Sequence, residues 1–167
     1  FSIAGYRKGF DDDRGNLFFE IMRLANHLQP RVLFLENVKN LRAHDNGKTF
    51  EIIKSCLEQN GYHVHSKVMN TCEYSNIPQN RERIYIVAFK EIDAYEEFSF
   101  PSKTKTLKSP RDLLEKKVDE SFYYKNSILY KQLKKEITNP DSIYQWRRVY
   151  VRENKSGVCP TLTANMG

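Results

Sequence analysis

Arg31-Val32-Leu33-Phe34-Leu35-Glu36-Asn37-Val38-Lys39-Asn40 decides how this chain is read. It opens on β-branched and aromatic apolar residues and closes on a carboxylate, an amide and a lysine. An apolar run bounded by Pro30 and Glu36 predicts a buried strand of a parallel sheet. Ligands of open α/β sheets bind beyond the carboxyl ends of the strands, so Glu36 would stand at the rim where chemistry occurs. The alternative is a carboxylate that ends the strand and faces water.

Upstream, Leu17, Phe18, Ile21, Leu24, Ala25 and Leu28 fall at helical spacing and predict one apolar face. Asp13 is a candidate cap, with Asp11 and Asp12 near the positive helix end. Pro30 ends that helix. Residues 1–14 read as a loop carrying Ser2, Arg7, Lys8 and Arg14. Downstream, a polar loop precedes a second helix over 48–60, with Phe50, Ile53 and Leu57 inward and Gly61 as its C-cap. Residues 62–69 alternate and predict a half-buried strand. Residues 70–82 read as irregular, and 83–89 as an apolar strand. The last two strands should pair antiparallel. Helix and strand thus alternate in an α/β rhythm.

Beyond Lys90 the character shifts. Residues 101–110, rich in Ser, Thr and Lys, suggest a linker. Leu113, Leu114 and Val118 suggest a short helix, and Tyr123, Tyr124 and Tyr130 are expected to pack. Residues 145–152 suggest one extended strand, and 154–157 a turn.

Composition bounds the function. The 167 residues amount to about one domain, or one and the start of another, and 40% apolar content supports a core. A net charge of +6 favours an anionic partner such as nucleic acid. The three cysteines, Cys56, Cys72 and Cys159, lie far apart, which argues for a reducing compartment and against a disulfide framework or a zinc site. No apolar run approaches the roughly 20 residues of a membrane span, and no signal peptide is visible. His44, His63 and His65 do not group at metal-ligand spacing, and no GxxxxGK or GxGxxG phosphate loop is present. The chain runs from Phe1, which is not Met, to Met166-Gly167, and the expectation is a piece of a larger protein.

A second polar motif follows the first: Pro78-Gln79-Asn80-Arg81-Glu82-Arg83. At strand spacing Arg81 and Arg83 point the same way, a fork of donors suited to phosphate or a carbonyl. The plainer alternative is a surface ion pair with Glu82 or Glu73.

These motifs resemble the DNA (cytosine-5)-methyltransferases. Phe1-Ser2-Ile3-Ala4-Gly5, Gly9-Phe10-Asp11-Asp12, Arg14-Gly15 and Leu17-Phe18-Phe19 resemble the catalytic loop that follows that family's Pro-Cys-Gln nucleophile. Glu36-Asn37-Val38 is similar to its Glu-Asn-Val motif, and residues 78–83 to its Gln-x-Arg-x-Arg motif. Residues 148–167 resemble the start of the target-recognition region of bacterial restriction-modification members. Three motifs in the right order are specific, and they span nearly the whole chain.

The resemblance implies an α/β, Rossmann-like fold, with a partial catalytic domain over 1–100 and a linker plus the start of a recognition region over 101–167. It implies methyl transfer from S-adenosylmethionine to C5 of a cytosine flipped out of double-stranded DNA. A thiolate adds to C6 and pushes negative charge toward N3 and O2, which must be neutralised. By resemblance Glu36 acts at N3 and the exocyclic amine, with a carboxyl pKa raised by burial. Arg83 donates to O2, Arg81 braces the loop or Glu36, and Asn37 and Val38 support the strand end. Ser2, Arg14, Arg148, Thr161, Thr163 and Asn165 would meet DNA.

The nucleophile motif, most of the S-adenosylmethionine site and the rest of the recognition region are not in the sequence. None of the three cysteines stands in for the nucleophile. The expectation is therefore an internal fragment of a bacterial, cytoplasmic enzyme, inactive alone and completed by an N-terminal half. A DNA-binding or interaction module without catalysis is the rival reading. Self-association is expected wherever the apolar strand is left uncovered.

Overall fold

The computed structural model describes residues 13–104, 108–147 and 149–162. Two compact units make it up. Among the described residues, one comprises 13–69 with 82–102, the other 70–81 with those from 103 to 162.

The first unit is mixed α/β. Helix α1 (Asp13–Leu28) leads into β1 (Val32–Val38). Two 3-10 turns, Lys39–Arg42 and His44–Gly47, carry the chain to α2 (Lys48–Gln59) and then β2 (His63–Asn70). The short α3 (Thr71–Tyr74) and β3 (Gln79–Asn80) belong to the second unit, after which β4 (Glu82–Phe89) returns to the first. Helix α4 (Ile92–Glu97) follows. The sheet order is β1-β4-β2.

Helix α2 forms as expected, burying Phe50, Ile53 and Leu57, and Gly61 adopts φ +78° just past its end, where a side chain would be strained. Helix α1 needs correction. Its buried residues are Phe18, Met22 and Ala25, whereas Leu17, Ile21, Leu24 and Leu28 are exposed. The helix carries two adjacent apolar stripes, and this core takes only one. The capping assigned to Asp13, with Asp11 and Asp12, lies outside the described residues and side chains.

The reading of β1 as a buried parallel strand is also corrected. It runs antiparallel to β4, from Val32 opposite Phe89 to Val38 opposite Arg83. Among the described residues no strand pairs with its other edge. Leu33 and Leu35 pack on the core of Phe18, Met22, Leu41, Phe50, Ile53, Leu57, Ile84 and Ile86. Val32 and Phe34 point the other way and are 46% and 65% exposed. Alternation is what period-two geometry produces when only one face is covered. On that outer face Phe34 stacks on Tyr85, and His65, Phe89, Tyr95 and Phe98 form an aromatic group, with the His65 Nε2–H donating to the Tyr95 carbonyl.

In the second unit β3 pairs parallel with β7 (Cys159–Pro160). Helix α5 (Tyr130–Glu136) precedes a hairpin of β5 (Ile143–Arg147) and β6 (Tyr150–Asn154). That hairpin corrects the single strand expected over 145–152, whose alternating arginines and aromatics hid the reversal. The short helix expected from Leu113 to Val118 is instead a 3-10 turn over Pro110–Leu113, because that segment has too few apolar anchors for a longer helix. Tyr123, Tyr124 and Tyr130 are exposed rather than packed. No described helix is long and apolar enough to cross a membrane.

Candidate active site

The carboxyl end of β1 and the start of β4 meet in the first unit. Register places Glu36 opposite Tyr85 and Val38 opposite Arg83. Glu36 and Arg83 are thus diagonal neighbours on one face, within reach of long side chains. Arg83 Nε lies 2.9 Å from Glu36 Oε1, with the Arg83 side chain only 14% exposed and that of Glu36 41% exposed. Arg83 Nη1 also donates to the Glu82 carbonyl at 2.8 Å. The guanidinium is therefore held at two points and shielded from water.

Two expectations change here. The Glu36 carboxyl is not buried in this chain, because it lies on the same exposed face of β1 as Val32 and Phe34. Arg83 does not take Glu82 or Glu73 as its carboxylate. Glu82 pairs with Lys39, and Glu73 with Lys103 at 3.0 Å. Asn37 Oδ1 accepts from the Val38 amide at 2.8 Å, which locks the strand end through a side chain able to mimic a turn.

Arg81 sits between β3 and β4 rather than in a strand, and belongs to the second unit. Its amide donates to Asn70 Oδ1 at 2.9 Å, and its carbonyl accepts from the Thr71 amide at 3.0 Å. Asn70 Nδ2 also donates to Asn80 Oδ1. The Thr161 hydroxyl donates to the Asn80 carbonyl at 2.7 Å, so that candidate DNA contact holds the arginine loop. Ser2, Arg148, Thr163, Asn165 and the side chain of Arg14 lie outside what the structure describes.

Sequence reasoning missed the pairing of Lys39 with Glu82, and it missed Asn70. Lys39 and Glu82 were visible as opposite charges in the two quoted stretches, but their pairing required the tertiary structure.

Cys56 and Cys159 are poor nucleophiles in their settings. Burial pushes the Cys56 and Cys159 thiols up, away from the reactive thiolate. Among the described residues no three His, Cys, Asp or Glu side chains gather to hold a metal. A hollow bordered by Phe19, Glu51, Ile52 and Cys56 lies on the first unit, but it lacks a glycine-rich turn and a ribose-binding acid at a strand end. The described residues therefore do not by themselves fit S-adenosylmethionine.

Comparison with known proteins gives this geometry a context. The model of the C-5 cytosine-specific DNA methylases matches residues 1–166. The chain is 54% identical to the type II methyltransferase M.Bsp6I of Bacillus sp. (strain RFL6), over 100% of this chain and 55% of that protein. It is 36% identical to M.HhaI of Haemophilus parahaemolyticus, over 100% of this chain and 53% of that one. The structure of the Entamoeba histolytica methyltransferase EhMeth shares the fold at a TM-score of 0.51 and 21% identity, covering 69% of this chain and 35% of that one. The chain spans about half the length of the curated relatives named. A family model matched along nearly every residue, together with these relatives, makes the chain a member of the C-5 cytosine-specific DNA methylase family.

Proposed function

We propose that the chain forms the charge-stabilising part of a DNA (cytosine-5)-methyltransferase of a bacterial restriction-modification system. The observation that carries this reading is the shielded Arg83 guanidinium set 2.9 Å from Glu36 at a strand end. Addition of a thiolate to cytosine C6 delivers an electron pair into the ring, out toward N3 and O2. Arg83 offers N–H donors for O2. Glu36, sharing a proton, neutralises N3 and accepts from the exocyclic amine. Donors already in place when charge develops cost no reorganisation, which is the source of their catalytic effect. Asn37 and Val38 hold the strand end, and Arg81 braces the loop before β4. Ser2, Arg14, Arg148, Thr161, Thr163 and Asn165 are proposed to contact double-stranded DNA.

The nucleophile and most of the S-adenosylmethionine site are proposed to lie in an N-terminal half of the enzyme. S-adenosylmethionine would supply the methyl group. The open edge of β1, the exposed Val32 and Phe34, and the free stripe of α1 are apolar surface suited to that half. With it, β1, β4 and β2 would extend into a Rossmann-like sheet. Without it, the same surface favours self-association of the chain, and a strict monomer by light scattering at high concentration would contradict that.

The test is complementation. The chain is joined to the N-terminal portion of M.Bsp6I and to the part following the match, and methyl transfer to duplex DNA is measured. Transfer supports the reading. A folded hybrid that transfers nothing overturns it. The rival module is favoured by the net charge of +6. It requires salt-dependent duplex binding by this chain alone, with a hybrid that binds but does not transfer.

A further inference from the structure

We propose that Lys39 and Glu82 are positioning residues that hold the Arg83 guanidinium on Glu36. The catalytic consequence of this rests on the function proposed above, but the positioning itself does not. The ladder ends with Val38 opposite Arg83, and Lys39 and Glu82 are the residues next to this last pair, Lys39 opening the 3-10 turn. Their side chains form an ion pair there. Arg83 is anchored on Glu36 Oε1 through Nε and on the Glu82 carbonyl through Nη1. The second anchor is the backbone of the residue whose side chain Lys39 grips. Lys39 therefore fixes the peptide that aims the guanidinium.

A further consequence follows from geometry. Consecutive strand residues face opposite sides, so a one-residue slip would turn Arg83 away from Glu36. An ion pair just beyond the last rung opposes that slip. The pair is half exposed, with side-chain exposures of 56% and 35%, so its contribution to global stability is small. Positioning and stability can therefore be separated.

The experiment uses the 167-residue chain and follows the Arg83 Nε–H by 15N NMR. In Lys39→Glu, solvent exchange of that proton is expected to rise about fivefold, the scale of one partly exposed ion pair. The double variant Lys39→Glu/Glu82→Lys, which recreates the pair with reversed charges, should return to within about twofold of wild type. Lys39→Met, which keeps the length and removes the charge, serves should Lys39→Glu not fold. Unchanged exchange in the folded variant, or no recovery on swapping, overturns the proposal. In the hybrid enzyme, Lys39→Met should lower kcat while the KM for DNA stays constant. Should Glu36→Gln turn over normally while the exchange coupling persists, the proposed function fails and the positioning stands.

Discussion

The strand pair β1–β4 carries an arginine–glutamate pair at each end, and the two are built differently. Arg31 meets Glu91 through two hydrogen bonds, of 2.9 and 2.8 Å, yet its side chain is 80% exposed. Arg83 meets Glu36 through Nε alone, but it is 14% exposed and tied to a backbone carbonyl as well. Counting contacts would favour the first pair. Solvent shielding favours the second, because water screens the fork at Arg31 and leaves the guanidinium at Arg83 pre-aimed. Burial of the cation, more than the number of its bonds, is what marks the second pair as the candidate site.

The sharpest break of this comparison is kinetic. In the hybrid enzyme, Arg83→Ala should lower kcat by about 10²–10³, the effect of losing one preorganised donor to a developing oxyanion. Glu36→Gln should cost about 10²–10⁴, as loss of a proton-sharing group does. Arg31→Ala should leave methyl transfer within about twofold, since it touches only a screened surface pair. Equal losses at Arg83 and Arg31, scored by methyl transfer to duplex DNA, would erase the distinction.

A second test compares the faces of the same ladder. Ile84 is fully buried beside Arg83, so Ile84→Ala should destabilise by about 2–5 kcal/mol in urea unfolding. Val32→Ala, at a half-exposed position, should stay within about 1 kcal/mol.

Acid sharpens the comparison further. The hydrogen bond and charge of Arg31 hold the Glu91 carboxyl below its ordinary value of 4.5. A depressed carboxylate stabilises the fold fully above that ordinary value, and the benefit is lost as pH falls through the folded-state value. The stability difference between wild type and Arg31→Ala should therefore be small but fully present above pH 4.5, and disappear as pH falls through the lower folded-state value. A difference that grows in acid would reverse the sign argument.

The smallest effect concerns the thiols. Cys159, its pKa raised by burial, should react with iodoacetamide at pH 8 more slowly than a free model thiol, and urea should remove the lag. Equal rates before and after unfolding would show that burial does not protect it.

Much of the fold was legible where residues close in sequence interact. Phe50, Ile53 and Leu57 sit one helical turn apart, so their shared burial needed no tertiary information. Gly61 followed from the same helix end. The site was legible as two motifs, Glu36-Asn37-Val38 and Gln79-Asn80-Arg81-Glu82-Arg83, but not as a geometry. Arg81 and Arg83 look equivalent in sequence, yet a strand begins between them and assigns them to different units. The α1 stripes could not be ranked either. Leu17-Ile21-Leu24-Leu28 is as periodic as Phe18-Met22-Ala25, and only the position of the sheet selects one.

By itself the sequence determined α2 and the position of α1, the apolar strands β1 and β4, the motif order and, through them, the family. Periodicity, capping and turn chemistry act within a few residues and need no partner. Tertiary structure alone decided that β1 runs antiparallel to β4, that Arg83 takes Glu36, and that Lys39 takes Glu82. Each depends on register between distant segments. A shift of one residue would leave every local preference intact and send each of those side chains to the opposite face.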